Sequence, residues 1–479
     1  MARQTPRRRM WTAVGLLFAL SAITVGARGL QVWAPFARDP VAILWPHNVR
    51  PLVDFIQGET QTKFIAPVKF VYVADAGEFS KRATPPLDPS AQTRADLRTA
   101  AAVGRALGFW SGNVDLLADT DLIRRASDFS SVWLRDENTV LVRASDAKAD
   151  LSPVDRADLI VTLTEILDDQ LYHIADRLGQ AADSQRFQSF AGIDLGEAVW
   201  MHDRYVRRFS AADKTAYDKA STAIGSTYAS KVSSVPPAYR ALRIAGQRLG
   251  TAFVGALHAR GGNSFTRALT SDPPTALDQM QMPDAKYRQR DQVEHVDPPP
   301  LPTHATLLNH RQLGPFAVYL VLAAAMPPTD ALVAADGWGN DAFTSYELDG
   351  RVCVDGRIVA DTPADADHIA RALEAWGHVR PSQSATFLGR KGTTLLLTAC
   401  DPGTQVHQPI VALVAIDQFF GRADVLVREI ERTHLPVRSE CVAVSAFQRY
   451  SARDVRGANP AVDGAAILAA IAADCDASV

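Results

Sequence analysis

The chain has 479 residues, 47% of them hydrophobic, and a formal net charge of −3. That composition excludes a disordered polymer and supplies ample apolar surface for a core, in two or three domains. It gives no electrostatic case for a nucleic-acid partner, because the charges of both signs nearly cancel.

The N-terminus sets the first expectation. Arg3, Arg7, Arg8 and Arg9 precede an uncharged run from Met10 to Ala27. About 20 residues at ~1.5 Å rise cross a hydrocarbon layer, so 10–27 reads as a single-pass transmembrane helix or signal anchor. The basic bias on its N-terminal side keeps 1–9 cytoplasmic and exports the rest. The alternative is secretion after cleavage at Val25-Gly26-Ala27.

Residues 28–90 read as a lead-in, with a strand at Lys63–Val73 and a loop at Ala83–Ser90. Residues 91–293 read as a mainly helical domain. A helix is expected over Thr93–Gly108, and Val132–Arg143 is a hairpin turning at Asp136, Glu137 and Asn138. Ser152-Pro153 starts a helix running to about Leu178, Ser as cap and Pro in the first turn. Further helices are expected at about 189–208, 211–231 and 238–260, the last ended by Gly261-Gly262.

Residues 294–312 form a proline-rich connector. Beyond it, 313–479 reads as a smaller α/β domain with antiparallel strands. It opens on a buried helix at Leu313–Met326, too short for a second span. Strands follow near Phe343–Leu348 and Arg351–Val359, joined by an Asp349-Gly350 hairpin turn. A helix at Ala364–Trp376, strands near Ala385–Gly389 and Thr393–Thr398, and helices at about 417–433 and 462–473 complete it. The expected fold class is therefore α+β behind an N-terminal transmembrane helix. Four cysteines in an exported chain read as disulfides. Cys353–Cys400 and Cys441–Cys475 are preferred because each closes a compact local segment.

Several blocks together resemble a family of actinobacterial, mostly membrane-anchored zinc metallopeptidases. The segment Val161–Ile174 (VTLTEILDDQLYHI) is similar to that family's core helix, HELTHALQDQHFDL, through Leu163, Thr164, Leu167, Asp169, Gln170 and Tyr172. Leu195-Gly196-Glu197-Ala198 resembles its EGDA segment, and Phe253–Gly262 and Pro273–Tyr287 resemble later blocks. Gly337-Trp338-Gly339-Asn340-Asp341 resembles its GWGGD motif, and Ala399–Gly403 a further one. The resemblance implies a zincin-like helical domain. It places the HExxH ligands and base on Val161, Thr162 and Glu165, and the third ligand on Leu195.

HExxH works because two imidazoles four residues apart grip zinc and the Glu between them activates the metal-bound water. Val and Leu donate nothing to a metal, so no zinc cofactor is expected. A register shifted by three places Thr164, Glu165 and Asp168 there instead, and restores no HExxH. Glu165, Asp169 and His173, spaced i, i+4, i+8, with Glu197 or His202, are the residues of an alternative metal site. Asp169 and Gln170 read as structural hydrogen bonders, and Trp338 as a packed tight turn, with Asp341 beside it. His258, His304 and His310 are lone histidines, and Ser264 and Ser445 show no nucleophile signature.

The sequence thus points to a membrane-anchored extracytoplasmic pseudo-metallopeptidase that binds an envelope protein or peptide. The alternatives are an active hydrolase with a non-standard site around Glu165 and Asp169, and a structural envelope component.

Overall fold

The computed structural model describes residues 44–181, 184–289, 295–381 and 384–477. The expected span at 10–27 and the tail at 1–9 lie outside them. Among the described residues no helix is long and apolar enough to cross a membrane. The fold class is therefore corrected to α+β with no membrane-spanning element described. Of the other apolar run, Leu313–Met326, the residues Gly314–Ala323 form a ten-residue helix, every one of them buried in protein.

The lead-in is an integral part of the fold. Helix α1 (Arg50–Thr60), strand β1 (Lys69–Tyr72) and helix α2 (Ala76–Ala83) build one edge of the molecule. Val49, Leu52, Val53 and Ile56 form the inward face of α1 and its start. They pack in one cluster with Leu159, Ile160, Leu163 and Ile166 of the later helix α5 (Pro153–Tyr172). β1 pairs in parallel with β3 (Thr139–Val142), which also forms the expected hairpin with β2 (Ser131–Leu134). The sequence read an isolated strand here because the partner lies some 70 residues away.

Helix α3 (Ala91–Leu107) ends at Gly108 in the left-handed region, and α4 (Leu116–Ala126), missed in sequence, follows with Asp115 as its cap. The helix begun at Ser152-Pro153 stops earlier than expected. His173 takes φ 53°, so α5 ends at Tyr172 and a short α6 (Ile174–Gln180) follows. Next come α7 (Ser184–Val206), α8 (Ala211–Lys231) and α9 (Pro237–Arg260).

α7 and α9 approach until their backbones touch. A Cβ on Gly250 would lie 1.8 Å from the Gly192 carbonyl oxygen, and one on Gly196 would lie 2.4 Å from the Gly250 carbonyl carbon. Glycines four apart on both helices are what permit this contact.

The chain continues through α10 (Ser264–Thr270), α11 (Leu277–Gln281) and a π-type turn at Pro283–Arg288. The proline-rich stretch then delivers an unexpected edge strand, β4 (Thr306–Arg311). After α12 (Gly314–Ala323) and α13 (Pro328–Asp336) comes a five-stranded antiparallel sheet. Its order is β4-β5-β6-β8-β7, from β5 (Trp338–Leu348), β6 (Arg351–Ala360), β7 (Ala385–Lys391) and β8 (Thr394–Cys400).

Asp349 (φ 50°) and Gly350 (φ 72°) make the β5–β6 turn, and both positive angles suit a two-residue hairpin loop. Helix α14 (Pro363–Val379) covers the sheet. Helices α15 (Leu413–Thr433), α16 (Pro436–Arg449), α17 (Ala452–Val455) and α18 (Gly464–Asp476) close the chain.

Cys353 and Cys400 stand opposite each other on β6 and β8 and are bonded. Cys441 on α16 is bonded to Cys475 on α18. One apolar cluster runs from Leu97 through Trp200, Phe253, Trp338 and Trp376 to Cys475, joining helices and sheet.

Candidate functional site

The residues singled out on α5 and α7 face one another where these helices cross. α5 is amphipathic toward two neighbours, so the positions between its apolar rows meet α7. Those positions carry carboxylates. Asp168, Asp194 and Glu197 are buried and Glu165 is partly so. Asp168 lies among the charges of Glu197, Asp194, Glu165 and its neighbour Asp169.

The residues that meet α7 are thus those of the shifted register, Glu165 and Asp168. Thr162 instead shares a hydrogen bond with Ser131 Oγ at 2.8 Å, while Val161 and Leu195 are partly buried side chains without donor atoms.

Few cations offset this charge. Arg135, at the β2–β3 turn, reaches Asp169 at 3.4 Å and Asp194 at 3.7 Å, and lies 4.6 Å from the centre of the Trp133 ring. His258 on α9 meets Glu197 Oε2 at 2.7 Å, its ring stacked between Trp200 and Phe265. Burial works against its charge, yet Glu197 outweighs that and holds His258 above its ordinary pKa. Asp168 Oδ2 and Asp194 Oδ1 are buried without a hydrogen-bond partner.

Burial is accordingly the main cause of three raised acids. Glu165 is lifted to about 7, Arg135 opposing and Asp158 assisting. Asp194 is lifted to about 8, Glu165 adding to burial and Arg135 opposing. Asp168 rises well above the usual carboxylate range, with Glu197 the leading neighbour after burial. A group that cannot be hydrated or paired keeps its proton.

Two further acids have structural work. Asp158 accepts the Ser130 and Ser131 backbone amides at 2.7 and 2.9 Å, fixing β2 onto α5. Asp169 accepts the Ala175 amide at 2.9 Å and so caps α6 across the break. Gln170 binds the Ile65 and Ala66 amides through Oε1 and the Ala66 carbonyl through Nε2, holding the segment before β1.

His173 is exposed at the helix break, so the i, i+4, i+8 face ends before it reaches the cluster. His202 turns to Asp203 and the Tyr217 hydroxyl. Among the described residues no group of three or more His, Cys, Asp or Glu is placed to hold a metal. The residues at the expected zinc positions do not fit that ion. Val161 and Leu195 are aliphatic, Thr162 is engaged with Ser131, and Glu165 is a single carboxylate, which by itself does not hold zinc.

Trp338 and Asp341 belong to another part of the molecule. Trp338 is fully buried, as packing predicted, but it begins a strand with a bulge rather than a tight turn. Its indole Nε1 donates to Asp341, which also accepts the Leu313 and Gly314 amides at 2.7 Å and anchors the start of α12.

Sequence reasoning passed over Asp194, Arg135 and the pairing of His258. The available signal was four acids in two i, i+3 pairs, Glu165 and Asp168 on α5 and Asp194 and Glu197 on α7. What was not available was which faces meet. The chain matches no family model, no curated protein and no solved structure in comparisons with each.

A second feature lies between α9 and α15. Pro237, Ala241 and Ile244 face Leu413, Ile416 and Phe420 across a groove of about 320 Å³. Ile244, Leu413 and Val414 are exposed there or beside it, at 39%, 59% and 63%. Arg248 and Arg456 both bind Asp424, whereas the buried Nε of Arg240 has no hydrogen-bond partner.

Proposed function

We propose that the chain is a non-catalytic relative of the zinc metallopeptidases whose motifs it resembles, and that it acts by binding an apolar, acidic peptide segment of a partner protein outside the cytoplasm. The observation that carries this reading is the α5–α7 crossing. Where the resemblance calls for two imidazoles, a base and a third ligand stand Val161, Glu165, Thr162 and Leu195, and the carboxylates of Glu165, Asp168 and Asp194 hold their protons at the helix interface. Such a cluster lacks the neutral nitrogen donors that zinc sites use.

The groove between α9 and α15 supports binding as the remaining activity. Its volume falls at the lower end of the range for ligand clefts, and large exposed apolar side chains flank it. The lining carries Arg240, Arg248 and Arg456 against Asp417 and Asp424, an excess of one positive charge that favours an acidic residue in the occupant. The two disulfides support an oxidising compartment.

The test has two parts. The purified chain, incubated with zinc and dialysed, is analysed for metal and assayed on unstructured peptides. We expect less than a tenth of an equivalent of zinc and no cleavage; stoichiometric zinc with chelator-sensitive cleavage overturns the non-catalytic reading. Displayed peptides are then selected on the wild type and on Leu413→Asp. Enrichment of apolar sequences carrying Asp or Glu, lost on the variant, is the expected result. No enrichment, or enrichment equal on both, overturns the assignment of the groove.

A further inference from the structure

We infer that a second site, at the C-terminal end of α9, binds a small oxyanion. The two sequence blocks Phe253–Gly262 and Pro273–Tyr287 meet there around a cavity of about 140 Å³, lined by Arg260, Arg267 and Arg288 together with Ser264, Asp272 and Tyr287. The three guanidinium groups come from three different elements: the end of α9, the middle of α10, and the π-type turn at Pro283–Arg288. Single π-type turns concentrate at functional sites because they re-aim side chains that a regular helix would carry elsewhere.

Among the described residues, the carboxylates paired with these arginines are two. Asp284 is shared, meeting Arg260 at 2.5 Å and Arg288 at 3.6 Å. Asp272 lies 4.0 Å from Arg267. Among the described residues at the cavity that leaves three cations against two carboxylates. Glu440, behind Asp284, accepts the Asp284 and Ala285 amides, and burial raises it to about 7 against the opposing pull of those amides and Arg260.

Size narrows the ligand. The cavity is roughly ten times the ~15 Å³ that admits one water, yet below the ~300 Å³ where pockets for larger molecules begin. It suits one phosphate or carboxylate group with little attached. Guanidinium forks match both groups in geometry. Arg260 also donates to the Pro283 carbonyl at 3.1 Å and is only 19% exposed, so it is held in place. Arg267 and Arg288 are 51% and 66% exposed, and each meets its carboxylate only at 4.0 and 3.6 Å.

This site is independent of the groove between α9 and α15 and of any loss of zinc. The test is calorimetric titration of the full chain at fixed ionic strength with inorganic phosphate, and with a tripeptide carrying either a free or an amidated C-terminus. Binding of phosphate identifies a phosphate source; binding of the free-acid peptide but not its amide identifies a carboxylate source. Either result should weaken at least tenfold in Arg267→Gln/Arg288→Gln, whose exposed positions leave folding intact by circular dichroism. Binding of neither probe, or affinity unchanged in the double variant, overturns the proposal. A chloride titration of equal strength, if it reproduces the signal, overturns it as well.

Discussion

Replacing Asp194 by Asn tests the reading of the α5–α7 crossing. In the folded chain Asp194 is 4% exposed and lifted to about 8, while its usual value is 3.8. Between those two values the folded state holds a proton that the unfolded state has released. Stability therefore falls as pH rises, and the loss is complete only above the folded value. From pH 6 to pH 8 that is about two pH units, at ~1.36 kcal/mol each, so the wild type should lose on the order of 3 kcal/mol through this cluster.

An asparagine cannot titrate. While Asp194 is protonated it makes no ion pair with Arg135; that attraction appears only as the carboxyl ionises and is already contained in the value of about 8. The stability difference, variant minus wild type, should therefore rise by about 2–3 kcal/mol between pH 6 and pH 8. The assay is urea denaturation of both proteins at half-unit pH steps, read as midpoint and slope. A difference that stays flat across this range, or that falls, refutes the claim that these carboxylates are buried protonated against α7.

Three other outcomes follow from particular contacts. Gly250→Ala places a Cβ against the Gly192 carbonyl, which as helix backbone cannot move aside. It should cost more than ~3 kcal/mol or prevent folding, whereas Gly225→Ala on α8, with nothing within 4 Å, should gain up to ~1 kcal/mol; equal melting temperatures for the two variants would contradict the backbone contact. Mass mapping without reduction should recover Cys353 linked to Cys400 and Cys441 linked to Cys475, and removing the first pair should lower stability by at most about 4 kcal/mol, the chain-entropy limit for such a loop; a free thiol at any of the four positions would show the pairing wrong. Glu165→Gln should leave peptide-cleavage assays at the blank level of the wild type, and a response to this substitution would restore the hydrolase alternative.

Much of the local structure was legible because it depends on neighbours in sequence. Ser152 before Pro153 marks the start of α5, and Asp349-Gly350 marks a hairpin because both residues tolerate positive φ. The lack of imidazoles at Val161 and Leu195 is a matter of residue identity. The cysteine pairing was accessible because each bond closes a short segment. The break at His173 was not, since the apolar spacing continues through it. Nor was the parallel pairing of β1 with β3, which depends on a partner brought in from another part of the chain.

What the sequence alone determined is the kind of chemistry each helix offers, together with where most helices and strands begin. Which side chains share a space was decided by tertiary packing. Asp168 and Asp194 become one proton-holding cluster only because α5 and α7 cross where they do, and α7 is set in turn by its glycine contact with α9. The same holds for the three arginines at the end of α9. A carboxylate's charge depends on the distance to other charges and to water, and neither distance is written in the order of residues.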